Sequence, residues 1–254
     1  MTYTAVVLAG SRPGTDAFAQ SFGADFKALI PVAGEPMVLR PVRSLLGSAN
    51  VGKVLVLSQA PDRIRAVLPD DPRIECHQSA GTIAGTMLGL LDDLGTAWPL
   101  LVTTADLALL DTATIDEFCG AAEGVDVAVG VVERDNLLCR LPNTERTWLK
   151  FRGGAYTGAN LFALRSPEVR RAIELWRSVE QDRKKAWRVI SLLGPAVMLT
   201  VALRLVSLDE VLARLGARLG LSLRAVRLSN PLAGVDVDKV ADHALAEAIL
   251  AGKA

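Results

Sequence analysis

The chain of 254 residues is short of cysteine, histidine, aromatic residues and any excess of charge. Its three cysteines, Cys76, Cys119 and Cys139, are odd in number and far apart. That argues against a disulfide framework or a cysteine-held zinc site, and a reduced, cytoplasmic setting is expected. The two histidines, His77 and His243, are isolated, so a structural or surface role is expected of them. No Gly-x-Ser-x-Gly nucleophile elbow is present. Lys+Arg and Asp+Glu each total 28, which leaves no net charge and no basic footprint for nucleic acid. Only 5% of the residues are aromatic while 50% are hydrophobic, so the core must be mostly Leu, Val, Ile and Ala. Long apolar runs are missing too. A long uncharged stretch, 189–203, has 15 residues and contains Ser191, Gly194, Pro195 and Thr200. A membrane-spanning helix needs about 20 apolar residues, so this stretch is expected to be buried or interfacial. The N-terminus enters an apolar run with no basic region before it, and no signal peptide is expected.

What is present is an alternation of short apolar runs with helix-like segments. Residues 3–9, 53–58, 99–104, 125–132 and 160–164 read as strands, most of them continuously apolar. Such strands, separated by helices, imply a parallel sheet covered on both faces. Helices are expected from Pro36 to Leu46, from Pro61, over 82–94, from an Asp111 or Thr112 cap to Ala121, after Ser166-Pro167-Glu168, and over 240–251. Ser207-Leu208-Asp209-Glu210 fits a capping box. No repeat or linker divides the chain. One domain over residues 1–254 is expected, with a Leu- and Arg-rich helical insertion at about 166–228.

Several constellations can carry chemistry. After the first strand come Leu8, Ala9, Gly10, Ser11 and Arg12, then Pro13-Gly14. Small residues let backbone N–H groups approach an anion, with Arg12 and Lys27 to neutralise it. The bland reading is an ordinary Gly-containing turn. The run 101–105 ends in Asp106, outside the carboxyl end of a strand, where ligands of open α/β sheets bind. A lone aspartate there is more commonly a cap, but it can also hold Mg²⁺. In Gly234-Val235-Asp236-Val237-Asp238, alternation puts Asp236 and Asp238 on one face. Gly47 to Lys53 has P-loop spacing, but Val54 replaces the metal-binding hydroxyl and the motif precedes a strand, so it is rejected.

Leu8-Ala9-Gly10, then Lys27, then Leu29-Ile30-Pro31-Val32-Ala33-Gly34-Glu35-Pro36-Met37, resembles the N-terminus of the MobA-like NTP transferases. The resemblance extends over 6–245. It implies an α/β, Rossmann-like, three-layer, mostly parallel sheet of the GT-A type. It implies a Mg²⁺-dependent enzyme that moves a nucleoside monophosphate from an NTP to a phosphorylated small molecule. The acceptor could be a sugar phosphate, a cofactor precursor or a lipid-headgroup phosphate. The resemblance gives Asp106 a metal role, with Asp236 and then Asp238 beside it. It makes Lys27, Arg12 and Asp106 catalytic. It places Ser79, Gly81 and Thr82 near the nucleobase, although a helix cap or turn explains them equally well. It places Lys150, Arg152, Thr157, Gly158 and Asn160 on an acceptor-side hairpin. Stretch 15–25 departs from the family's tighter, Gly-richer loop, and Val240-Ala241 stands where Pro-Glu is usual.

Two rivals are carried alongside: a glycosyltransferase of the same fold using an NDP-sugar, and a nucleotide-binding protein without turnover. Residues 183–227 hold nine basic and two acidic side chains, a formal +7. The preferred reading packs these amphipathic helices on the core or on a second copy in a homodimer. The other lays them on an anionic membrane surface.

Overall fold

The computed structural model describes residues 2–10, 16–92, 97–180 and 194–253. The apolar runs form the sheet. In chain order its strands are β1 (Tyr3–Leu8), β4 (Val51–Ser58), β5 (Ile74–Gln78), β6 (Leu100–Thr104), β7 (Val127–Glu133), β8 (Leu149–Phe151), β9 (Gly154–Leu164) and β10 (Leu223–Arg227). The spatial order is β10-β7-β9-β6-β1-β4-β5, with β8 paired to β9. The pairs β1–β4, β1–β6, β4–β5 and β7–β10 are parallel, and β9 runs antiparallel to β6, β7 and β8. A small hairpin, β2 (Pro31–Val32) with β3 (Glu35–Pro36), stands apart.

Both faces of the sheet are covered, which is why its strands are continuously apolar. Ala5 and Val7 of β1 join one core, and Val6 joins the other. The first core takes Ala19 of α1 (Ala17–Ser21), Leu39, Val42 and Leu45 of α2 (Leu39–Gly47), Ile64 of α3 (Pro61–Arg65) and Ile115 and Phe118 of α5 (Thr112–Ala121). It also takes Leu137 of α6 (Arg134–Arg140) and Ala246 of α10 (Val240–Leu250). The second core takes Ala84, Met87 and Leu88 of α4 (Ile83–Asp92) and Ile173 of α7 (Arg170–Glu180). This is a three-layer, Rossmann-like α/β architecture. Phe118 is fully buried, and cutting such a side chain to alanine costs about 3–5 kcal/mol.

The stretch 166–228 carries α7, α8 (Pro195–Ala202) and α9 (Leu208–Leu219), then ends in β10, an edge strand of the main sheet. The sequence pattern predicts no strand there, because the arginines interrupt the apolar pattern of an edge. Ser207 and Glu210 form the expected capping box of α9. Leu199, Leu203 and Leu205 are exposed. Residues 181–193, including the start of the basic stretch and of the uncharged run, lie outside the described residues. Among the described residues no helix is long and apolar enough to cross a membrane.

Pro36 does not open a helix. The turn at Ala33 (φ 52°) and Gly34 (φ 79°) closes the β2–β3 hairpin, in which Pro36 pairs with Pro31. Helix α2 therefore begins only at Leu39. A non-glycine residue at positive φ is uncommon, and here Glu247 of α10 accepts a hydrogen bond from Ala33 N–H at 2.6 Å. The hairpin also carries the chain that positions Lys27. Val38 N–H donates to the Ala28 carbonyl at 3.0 Å, and Met37 N–H to that of Ile30 at 2.9 Å.

Candidate active site

The carboxyl ends of β1 and β6 lie side by side, joined by Ala105 N–H donating to the Leu8 carbonyl at 3.0 Å. Ala9-Gly10 and Ala105-Asp106 are thus neighbours at one edge of the sheet. A methyl group on Gly10 would come within 2.9 Å of the Gln59 side-chain amide, the movable end of a flexible side chain, and would displace that amide. Ser11 and Arg12 lie outside the described residues.

Lys27 opens a short 3₁₀ turn, Lys27–Leu29, whose Ala28 is buried. Anchored on one side by Ala28, the lysine reaches across to the sheet edge. Its ammonium donates to Asp106 Oδ2 at 2.6 Å and also to Asp238 Oδ1. The other Asp106 oxygen accepts from the Thr104 hydroxyl. Burial acts against the Lys27 charge, but the attraction and hydrogen bonds of Asp106 and Asp238 outweigh it. The lysine pKa is held above its ordinary value.

Asp238 arrives through backbone pairing: Val237 N–H donates to the Asp106 carbonyl at 3.0 Å. Val235 and Val237 are fully buried, so the alternating aspartates face the other way. Asp236 and Asp238 differ in partners, however. Asp236 is bound by Arg146, whose second nitrogen donates to Asp242 at 3.0 Å. The Arg146 side chain is only 8% exposed, and its Nε is buried with no hydrogen-bond partner. Burial and the charges of Asp238 and Asp106 push the Asp236 carboxyl up to about 6, with Arg146 opposing.

Asp242 also accepts a hydrogen bond from Asp238 N–H at 3.3 Å. It is therefore more than a first-turn acid of α10. Nothing in the sequence pattern points to Arg146. The residue lies in the irregular stretch between α6 and β8, with no motif around it, and its partners are about ninety residues away.

On the other side of the edge, Thr82 caps α4, its hydroxyl accepting from Gly85 N–H at 3.0 Å. Thr86 locks the preceding turn by accepting from Ala80 N–H at 3.0 Å. Ser79 Oγ is buried without a hydrogen-bond partner, and a Cβ on Gly81 would meet only open space.

The antiparallel run of β9 carries its start, Thr157, Gly158 and Asn160, to the same edge as Asp106. Its register makes this plain, since Phe162 faces Val102 and Tyr156 faces Glu133. Thr157 is buried against Gly234, and Asn160 adopts φ 45° where β7 and β9 shift register. The hairpin expected around 147–160 is β8 and β9. Lys150 is exposed on β8, whereas Arg152 lies in the turn and pairs with Glu210 of α9 at 2.7 Å. The two basic residues therefore do not share one strand face. His243 packs on Phe22 with ring centroids 4.3 Å apart and bonds the Pro31 carbonyl at 2.7 Å, a structural role.

Among the described residues, no three His, Cys, Asp or Glu side chains are gathered closely enough to hold a metal alone. A Mg²⁺ site that takes one or two carboxylates and completes its shell with phosphate oxygens needs no such group. Asp106 and Asp238 fit that need, because both already converge on a single cation, the Lys27 ammonium.

The MobA-like NTP transferase domain family matches residues 5–197. The chain belongs to this family. The MobA-like chain is also similar to a hypothetical transferase from Thermus thermophilus, at 30% identity and a TM-score of 0.81, over 96% of this chain and 100% of that one. Its fold is shared by 4-diphosphocytidyl-2C-methyl-D-erythritol synthase of Anaerococcus prevotii, at 10% identity and a TM-score of 0.63, over 98% of each chain. It is shared as well by CMP:2-keto-3-deoxy-manno-octonic acid synthetase solved with CTP, at 12% identity and a TM-score of 0.62, over 99% of this chain and 100% of that one. No curated protein matches the chain. The family match ends before Asp236, so the Asp236–Arg146–Asp242 arrangement rests on the geometry alone.

Proposed function

We propose that this nucleotidyltransferase-family chain is an enzyme that moves a nucleoside monophosphate from an NTP to a phosphorylated small molecule. An acceptor phosphate oxygen bonds to the α-phosphorus, the bond from that phosphorus to the β-phosphate bridge breaks, and pyrophosphate leaves. One observation carries this reading: a lysine and two aspartates converge at the carboxyl edge beside Ala9-Gly10. Ligands of open α/β sheets bind outside the carboxyl ends of the strands, and a triphosphate at this edge would meet the Lys27 ammonium.

Phosphoryl transfer asks a protein for position and charge balance more than for a nucleophile. An acceptor phosphate is already ionised, so no general base is needed and the structural role of His243 is no obstacle. Asp106 and Asp238 are the candidate Mg²⁺ ligands, with Asp236 behind them, held by Arg146. When bound, Mg²⁺ supplies charge neutralisation on the triphosphate. Lys27 pairs with the phosphates that become pyrophosphate, and the Leu8–Gly10 backbone lies at the same edge; Ser11 and Arg12, expected to act with it, lie outside the described residues.

Ser79, Gly81 and Thr82 border the base side, where a Cβ on exposed Gly81 would meet no neighbour. Thr157, Gly158 and Asn160 form the acceptor lip, with Lys150 beyond it. Arg152 joins them only by leaving Glu210. Both side chains of that pair are exposed and screened by water, so an acceptor phosphate can compete for the arginine.

The reading is tested with the four common NTPs against sugar phosphates, phosphorylated cofactor precursors and soluble headgroup phosphates, scored by pyrophosphate release in Mg²⁺. Pyrophosphate formed in one acceptor-dependent combination supports it. Release of an NDP from an NDP-sugar instead establishes the glycosyltransferase rival. Nucleotide binding with no turnover across the panel refutes transfer.

A further inference from the structure

The Lys27 ammonium does more than lie near the two aspartates. It bridges one oxygen of Asp106 and one of Asp238, as a shared cation would. The lysine and Asp106 side chains are 19% and 18% exposed, so water screens the Asp106 contact poorly, whereas the Asp238 side chain is 61% exposed and its contact is better screened. Among the described residues the other buried cation nearby, Arg146, cannot take over, because it is committed to Asp236 and Asp242. A bare divalent ion arriving here meets a place already filled. To enter, it must expel the ammonium from both carboxylates and leave it, largely buried, without them. A triphosphate changes the balance, since it offers Lys27 new anionic oxygens.

We infer that Lys27 is a placeholder cation, seated between Asp106 and Asp238 until a triphosphate takes it and the divalent ion replaces it. This rests on the transfer reading above for the identity of the ligands. The lysine therefore opposes metal binding in the nucleotide-free chain and favours binding of the metal–nucleotide complex. Such coupling is reciprocal: whatever nucleotide does for metal affinity, metal does for nucleotide affinity. It also explains why the lysine reaches the edge from a turn anchored by Ala28 and the Val38 N–H, yet by a flexible four-carbon stem that can turn from carboxylates to phosphates.

The test uses Mn²⁺ as the probe, with free ion read by electron paramagnetic resonance and folding checked by thermal melting. Without nucleotide, Lys27→Met is expected to bind Mn²⁺ at least tenfold more tightly than wild type. Lys239→Met removes an exposed charge next to Asp238 in sequence without emptying the place. It is expected to shift Mn²⁺ affinity less than threefold. With non-hydrolysable analogues of the four NTPs, the order is expected to reverse. Wild type then binds the Mn²⁺–nucleotide complex at least tenfold more tightly than Lys27→Met.

Equal or weaker Mn²⁺ binding by folded Lys27→Met overturns the inference. So does an equal gain in Lys239→Met, which would make the effect one of general charge, and so does failure of the order to reverse. The transfer reading is judged separately by pyrophosphate release from wild type. Its failure leaves the nucleotide-free Mn²⁺ comparison standing on its own result.

Discussion

Replacing Arg146 with methionine keeps much of the side-chain length and removes the positive charge that, among the described residues, Asp236 and Asp242 share. The Asp242 side chain is 7% exposed and that of Asp236 is 28% exposed. At an effective dielectric constant near 20, a charge pair about 4 Å apart interacts by about 4 kcal/mol. Stripping one partner from a buried pair costs about 3–5 kcal/mol, because the remaining charge is left without water or counter-ion.

A domain of this size loses roughly 2–4 °C in Tm per kcal/mol, so the expected fall is about 6–20 °C. Urea unfolding and differential scanning calorimetry at pH 8 would measure it. Adding Asp242→Asn to Arg146→Met neutralises one stranded carboxylate and should return part of the loss. The pH dependence follows from Asp236, already pushed up to about 6 with the arginine present. Without the arginine it rises further. A carboxyl raised above its unfolded value of about 3.9 costs stability above its folded pKa, and that cost disappears as pH falls toward the unfolded value. The gap between wild type and variant should therefore narrow from pH 8 to pH 5. A loss below about 1 kcal/mol at pH 8, or a gap that widens on acidification, would refute this account of the buried triad.

Asp106→Ala should raise the barrier to turnover by several kcal/mol; it also strips largely buried Lys27 of one partner, so some fall in melting temperature is expected, although the Val237 contact survives because it uses the Asp106 backbone. Near wild-type turnover at limiting Mg²⁺ would show that Asp106 is no ligand. Gly216→Ala should cost about 1–3 kcal/mol, because the new methyl would fall 2.3 Å from the Leu221 carbonyl oxygen and α9 would have to shift. Unchanged urea unfolding would contradict that packing. In alkylation at pH 8, exposed Cys139 should react quickly. Cys119, which is 2% exposed and pushed up to about 12 by burial, should wait for denaturant. Equal labelling rates, read by peptide mass spectrometry, would mean α5 does not pack as described.

The sequence alone determined the class of fold. Strands of a sheet that faces water on one side alternate apolar and polar residues, whereas the continuous apolar runs of β1, β4 and β6 required two covered faces. It also determined the family, because the Lys27–Met37 segment is contiguous and each part of it serves one local purpose: a cation, a buried turn, a hairpin and a helix approach. The period-two pattern of Val235 to Asp238 likewise revealed its two faces, because alternation is a property of the local backbone.

Only the tertiary structure decided which aspartate meets Lys27. Asp236 and Asp238 are alike in sequence, but Arg146, from the stretch before β8, takes the first and leaves the second to the lysine. It also decided that Arg152 pairs with Glu210 and that Thr82 is spent on a cap. Periodicity reports how a residue sits relative to its own strand or helix. Charge pairing between residues 79, 90 or 211 positions apart is set by how those elements are stacked, and no local pattern records it.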